Sequence, residues 1–90
     1  MSKTRLKKSD PVTPSTLKNI NSVIFRGHGT YATFVRNPKN ENKWRGGEAR
    51  SEVFNYLADK KTPYTLSTKE VVSRILKLQK ITGISIYLEN

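Results

Sequence analysis

Arg26, His28, Tyr31, Arg36, Trp44 and Arg45 lie within twenty residues of one another and supply groups that nucleic-acid chemistry uses. Guanidinium groups donate to phosphate oxygens as a fork, and tyrosine and tryptophan rings offer flat faces on which unpaired bases stack. Imidazole is the ordinary acid-base group of neutral pH, and His28 is the single histidine. A small ribonuclease could combine it with Arg26, Tyr31, Arg36 or Glu48. The flanking Gly27 and Gly29 favour a plainer reading, a turn residue in a tight reversal, so no catalytic residue is expected. Arg45-Gly46-Gly47-Glu48 precedes a helix start, where backbone N–H groups can hold phosphate. A carboxylate in that first turn would occupy the favourable end of the dipole, and the run matches neither a P-loop nor a dinucleotide fingerprint.

Two further basic groups stand outside this stretch. Lys3, Arg5, Lys7 and Lys8 precede almost anything that could be buried, and residues 1–12 read as a disordered basic arm that gains order on a phosphate backbone. Lys69, Arg74, Lys77 and Lys80 gather with Ser73 on one side of a helix when residues are placed at about 100° intervals. Val71, Val72, Ile75, Leu76 and Leu78 cover the other side. A solvated lysine-rich face is the bland reading of this stripe, and contact with phosphate the functional one.

The elements that position these groups follow from pattern and punctuation. Thr13-Pro14 has the form of a helix start, with threonine at the N-cap and proline at the first helical position. A short helix over 14–21 followed by a strand over 22–26 is preferred to one continuous helix. Residues 30–36 alternate as a strand, with Tyr31, Thr33 and Val35 on one face and Ala32, Phe34 and Arg36 on the other. The pair of strands around Gly27-His28-Gly29 predicts a β-hairpin. Arg26 and Arg36 are then expected on the sheet surface, while Tyr31 and Trp44 also read as core residues with polar tips at the surface. Trp44-Arg45 predicts a short edge strand.

Residues 48–60 read as a core helix with Ala49, Val53, Phe54, Tyr56 and Leu57 inward and Ser51, Glu52, Asn55 and Asp59 outward. Residues 61–66 connect it to a second helix over 67–80, opened by the Ser67-Thr68-Lys69-Glu70 capping box and followed by Gly83. Residues 84–88 close the chain as a strand. A winged helix-turn-helix is a variant of this arrangement, although the 61–66 connection is longer than the usual turn of about three or four residues. The expected fold is α+β: residues 13–90 form one small domain with a β-hairpin, two main helices and a C-terminal strand, preceded by the arm.

Seventeen lysines and arginines stand against seven acidic residues in 90, for a net charge of +10. That imbalance implies an anionic partner. The excess lies at the two ends, since residues 41–60 carry four charges of each sign. Without cysteine there is neither a disulfide framework nor a cysteine zinc site, and with one histidine no transition-metal site or other cofactor is expected. Apolar residues make up 34% of the chain, a small core for independent stability, and homodimerisation would supplement it. No apolar run approaches the roughly 18 residues of a membrane span, and no signal-peptide core follows the basic start, so a cytoplasmic protein is expected. The Lys/Asn/Ile-rich composition would suit a phage or mobile-element product or a ribosome-associated protein.

The function expected from these observations is non-enzymatic binding of DNA or RNA by the arm, the sheet surface and the helix stripe. The alternative is a small interaction protein docking on an acidic partner such as a nucleic-acid enzyme, because steering does not distinguish phosphate from carboxylate.

Overall fold

The computed structural model of the chain describes residues 3–46, 52–57 and 64–90. Among these residues six strands form one antiparallel sheet: β1 (Lys3–Leu6), β2 (Ser22–Gly27), β3 (Thr30–Asn37), β4 (Asn40–Gly46), β5 (Thr65–Ser67) and β6 (Ser85–Glu89). Their spatial order is β1-β6-β2-β3-β4-β5. Two helices accompany them, α1 (Glu52–Leu57) and α2 (Thr68–Gln79), with a 3₁₀ turn at Pro14–Leu17. The fold is thus α+β, as expected.

The β2–β3 hairpin is set by its turn. Gly27 pairs with Thr30, leaving His28 and Gly29 as a two-residue loop with φ of 51° and 76°. Positive φ at both central positions is the type I′ geometry that matches the right-handed strand twist, and histidine tolerates it better than a β-branched residue would. Gly27 itself lies against the loop between α2 and β6: a Cβ there would stand 2.2 Å from the Gly83 carbonyl oxygen. The β3–β4 reversal at Pro38-Lys39 is held by the Asn37 side chain, whose Oδ1 accepts the Lys39 N–H at 2.8 Å.

Alternation then divides the sheet into two faces. Val23 and Phe25 of β2, Ala32 and Phe34 of β3, Trp44 of β4, Leu66 of β5 and Ile86 and Leu88 of β6 point to one side and are buried. Phe25 and Phe34 meet edge to face with centroids 5.4 Å apart. α2 lies on this side, burying Val71, Val72, Ile75 and Leu78, and Leu57 of α1 packs against the same core. The capping box holds as the sequence implied: Ser67 Oγ accepts the Glu70 N–H at 3.2 Å, and Glu70 Oε1 accepts the Ser67 N–H at 2.9 Å.

Several expectations are corrected. Residues 1–12 are not a disordered arm throughout: Lys3–Leu6 pair in register with β6, from Lys3 opposite Glu89 to Leu6 opposite Ile86. The turn after β1 is closed by Asp10, whose carboxylate accepts the Lys7 N–H at 2.8 Å. Val12 is buried, and Gln79 of α2 donates to the carbonyls of Lys7 and Asp10 at 2.6 and 2.9 Å. A lysine- and arginine-rich sequence carries little local signal for a strand, yet such cations suit an edge. The short edge strand at Trp44-Arg45 is a seven-residue interior strand, because β5 pairs on its far side. β5 occupies the end of the stretch expected to connect the helices, so among the described residues a strand, and not a tight turn, leads into α2. The helix over 14–21 is a single 3₁₀ turn. On α2, Arg74 is buried and Leu76 exposed, the reverse of the expected assignment, and Tyr56 of α1 is exposed rather than inward. The remainder of the 48–60 helix expectation lies outside the described residues.

Because the N-terminal segment supplies a strand, a buried valine and two acceptors for a buried amide, a chain lacking residues 1–12 is expected to lose about 3 kcal/mol or more of stability. Urea denaturation followed by circular dichroism measures this directly. A midpoint equal to that of the full chain would mean that β1 contributes nothing to the folded state.

Candidate nucleic-acid interface

The face of the sheet turned away from α2 carries the residues that alternate with the core positions. Register places them in rows across the strands. Arg5 stands opposite Tyr87, which stands opposite Ile24, which stands opposite Thr33. Along the next row run Lys3, Glu89, Ser22, Val35, Arg45 and Thr65. On the other side of Tyr87, Ser85 faces Arg26, and Arg26 faces Tyr31. Lys3, Arg5, Arg26, Tyr31, Val35, Lys43, Arg45 and Thr65 are all exposed, with Tyr31 at 52% and Val35 at 47%. Glu89 and, by alternation along β4, Glu41 supply the acidic side chains among the described residues of this face.

Few contacts fix these side chains. Arg5 donates to Ser85 Oγ at 3.2 Å, Ser22 donates to Glu89 Oε1 at 3.4 Å, and Lys3 Nζ stands 5.9 Å from the centre of the Tyr87 ring. The last is a loose cation–π geometry. Arg26, Lys43 and Arg45 extend into solvent. At the β5 end, Lys43, Arg45, Asn37 and Tyr64 line a shallow groove, and Tyr64 is 60% exposed.

Arg36 stands elsewhere, which corrects its expected place on the surface beside Arg26. Its side chain points to the face that packs against α2, at the margin of the core. Nε donates to the Ile20 carbonyl at 2.8 Å, and the two terminal nitrogens donate to the carbonyls of Glu41 and Leu17. The guanidinium carbon lies 4.3 Å from the centre of the Trp44 ring. Trp44 is only 1% exposed, and its Nε1 donates to Thr68 Oγ1 at 2.9 Å, so the ring is core and not a platform for bases. Alternation from Tyr31 already separates Arg36 from Tyr31, and this was the signal available in the sequence.

The remaining candidates divide by position. His28 is exposed at the hairpin tip, with Nε2 3.1 Å from the Thr82 carbonyl oxygen. It thereby tacks the hairpin to the α2–β6 loop. Of the residues proposed to join it in a ribonuclease, Arg26 and Tyr31 pair with each other next to the turn, Arg36 faces the other way, and Glu48 lies outside the described residues. Lys7 and Lys8 are exposed in the turn after β1. Lys69, Lys77 and Lys80 are exposed on α2, but Arg74 is not part of their stripe. Burial holds the Arg74 guanidinium below its ordinary value, opposed by Glu70 one turn earlier. Since α2 packs on the core side, its lysines face away from the open sheet, and the two basic surfaces are on opposite sides of the molecule. Sequence reasoning missed Lys43, Tyr64 and Tyr87. The alternation Ser85-Ile86-Tyr87-Leu88 was sufficient to set Tyr87 opposite the core residues.

Among the described residues, no group of three or more potential metal-binding side chains forms, and no helix is long and apolar enough to cross a membrane. Comparison with protein-family models, with curated proteins and with solved structures gave no match.

Arg36→Met should therefore behave as a stability variant. Removing a donor to three carbonyls and a cation over Trp44 is expected to cost about 2–4 kcal/mol, whereas Arg26→Gln should stay within about 0.5 kcal/mol of the parent. Chemical denaturation of the two variants gives the comparison, and equal midpoints would show that the Arg36 contacts are not holding the fold.

Proposed function

We propose that the protein binds nucleic acid without chemical change to it, through the open face of the sheet. The observation that supports this most is the composition of one continuous face: Lys3, Arg5, Arg26, Lys43 and Arg45 surround Tyr31 and Tyr87, with Glu41 and Glu89 as the opposing charges. A domain needs none of these cations there for packing, and an antiparallel sheet with one solvated face is stable with ordinary polar residues. Clustered cations raise the local concentration of a polyanion and release its counterions on contact.

In this reading Arg26, Lys43 and Arg45 contact phosphate, since their side chains extend into solvent. Lys3 and Arg5 extend the contact surface at the β1 edge. Lys69, Lys77 and Lys80 add to the overall field but do not touch a short ligand lying on the sheet. An acidic protein would meet the same charges, and the exposed Val35 beside Arg45 favours that second reading, because an apolar side chain gains nothing from phosphate.

Salt dependence separates these possibilities. Replacing Arg26 and Arg45 together by Gln should weaken nucleic-acid binding and lower the slope of log affinity against log salt by about 1.5–2, near one unit per lost phosphate contact. Replacing Lys77 and Lys80 by Gln should alter the slope by less than about 0.5. A larger effect from the lysine pair moves the site to α2. If neither pair changes binding, the acidic protein partner becomes the better account.

A further inference from the structure

We infer that the open sheet face takes single-stranded nucleic acid, with Tyr87 and Tyr31 each stacking on a separate unpaired base while the flanking cations hold the backbone. This rests on the nucleic-acid reading above and narrows it to one ligand form.

The argument begins with the two rings. Tyr87 is opposite Ile24, and Ile24 is opposite Thr33, two residues along β3 from Tyr31. The tyrosines are therefore two strands apart and two residues out of line, roughly 10 Å across the sheet and 7 Å along it. That separation is too great for the rings to sandwich one base and suits one base on each. Tyr31 is 52% exposed, far more than a ring engaged in cross-strand packing needs to be. Tyr87 is half-buried, with the Lys3 ammonium 5.9 Å from its centre. A flexible lysine stem can leave the ring when a base arrives and transfer its charge to the adjacent phosphate, so the ring exchanges a loose cation contact for a flat partner.

The composition of the face favours a single strand over a duplex. A duplex hides the faces of its bases in its own stack and offers only base edges at the bottom of grooves. Reaching them takes a helix or ribbon that protrudes, and the described part of this face is the sheet itself, with side chains standing in rows. Against a duplex the cations would serve and the tyrosines would have nothing to stack on. A single strand supplies both phosphates and free base faces. Ile24 lies between Tyr87 and the β3 row and provides apolar surface beneath the bases.

The test is fluorescence anisotropy with labelled oligothymidylate and oligouridylate of about a dozen nucleotides, and a labelled duplex of equal length, against the full chain. Single strands of either sugar should bind at least about 10-fold tighter than the duplex, and the ratio between the two sugars reports whether DNA or RNA is preferred. Tyr31→Leu and Tyr87→Leu should each lower single-strand affinity by about 5- to 100-fold, while Tyr31→Phe and Tyr87→Phe keep it within about 3-fold, because phenyl stacks and leucine does not. Thermal melts identify any leucine variant that is unfolded, and in that case the phenylalanine variants combined with a shift of tyrosine emission on binding decide. Duplex binding equal to or tighter than single-strand binding overturns the inference but leaves the nucleic-acid reading standing. So does binding that depends on Arg26 and Arg45 but is indifferent to leucine at the tyrosines. Absence of binding to all three probes overturns both.

Discussion

The contact on which the rest of the arrangement depends is that between Arg36 and Trp44. One guanidinium lies over the indole and donates to carbonyls of Leu17, Ile20 and Glu41, which belong to the 3₁₀ turn, the segment leading into β2, and β4. The indole in turn reaches Thr68 at the start of α2. Four parts of the chain are thus fixed relative to one another by two side chains. Carbonyls at the ends of a 3₁₀ turn and of an irregular connection have no partners from regular structure, and burial without one is costly. A planar cation with donors on three nitrogens meets several of them at once, which neither lysine nor a neutral side chain can do. This is how a domain with a small apolar content and no cross-link holds an irregular N-terminal segment against its sheet.

The same economy appears at the other end of α2. Gln79 uses its amide to hold the turn at Lys7 and Asp10, so that β1 is brought alongside β6. Gly27 allows the hairpin to approach the α2–β6 loop at a distance no side chain permits, and His28 adds a hydrogen bond there. In each case a polar or glycine position, and not a larger apolar one, closes the structure. Small domains have little apolar surface left to bury once the central sheet is covered, and polar ties of this kind complete them.

Because α2 covers one side of the sheet, the chain's excess charge is sorted onto two surfaces. The lysines of α2 face outward on one side, and the cations of β1, β2 and β4 occupy the other. Charge repulsion between cations on the sheet is moderated by spacing: Glu89, Ser22 and Val35 stand between Lys3 and Arg45 in one row, and Tyr87, Ile24 and Thr33 follow Arg5 in the next.

Local signals in the sequence determined the β2–β3 hairpin, the strand over β6, the start and length of α2 and its capping box, because each depends on residues within a few positions of one another. They also settled the α+β class and the alternation that divides Tyr31 from Arg36. Tertiary structure decided the rest. Whether Lys3–Leu6 is a tail or a strand depends on the free edge of β6, at the far end of the sequence. Whether Arg36 faces solvent or carbonyls depends on where the 3₁₀ turn comes to lie, and no helical or strand period encodes that. Arg74 lies about 40° from Leu78, at the border between the two sides of α2, and the packing beneath the helix takes it to the buried side. Sequence patterns report which side chains share a face. Which face finds a covering partner is fixed by pairing between distant segments, and for this chain that pairing leaves Tyr87, Tyr31, Arg26 and Arg45 together in the open.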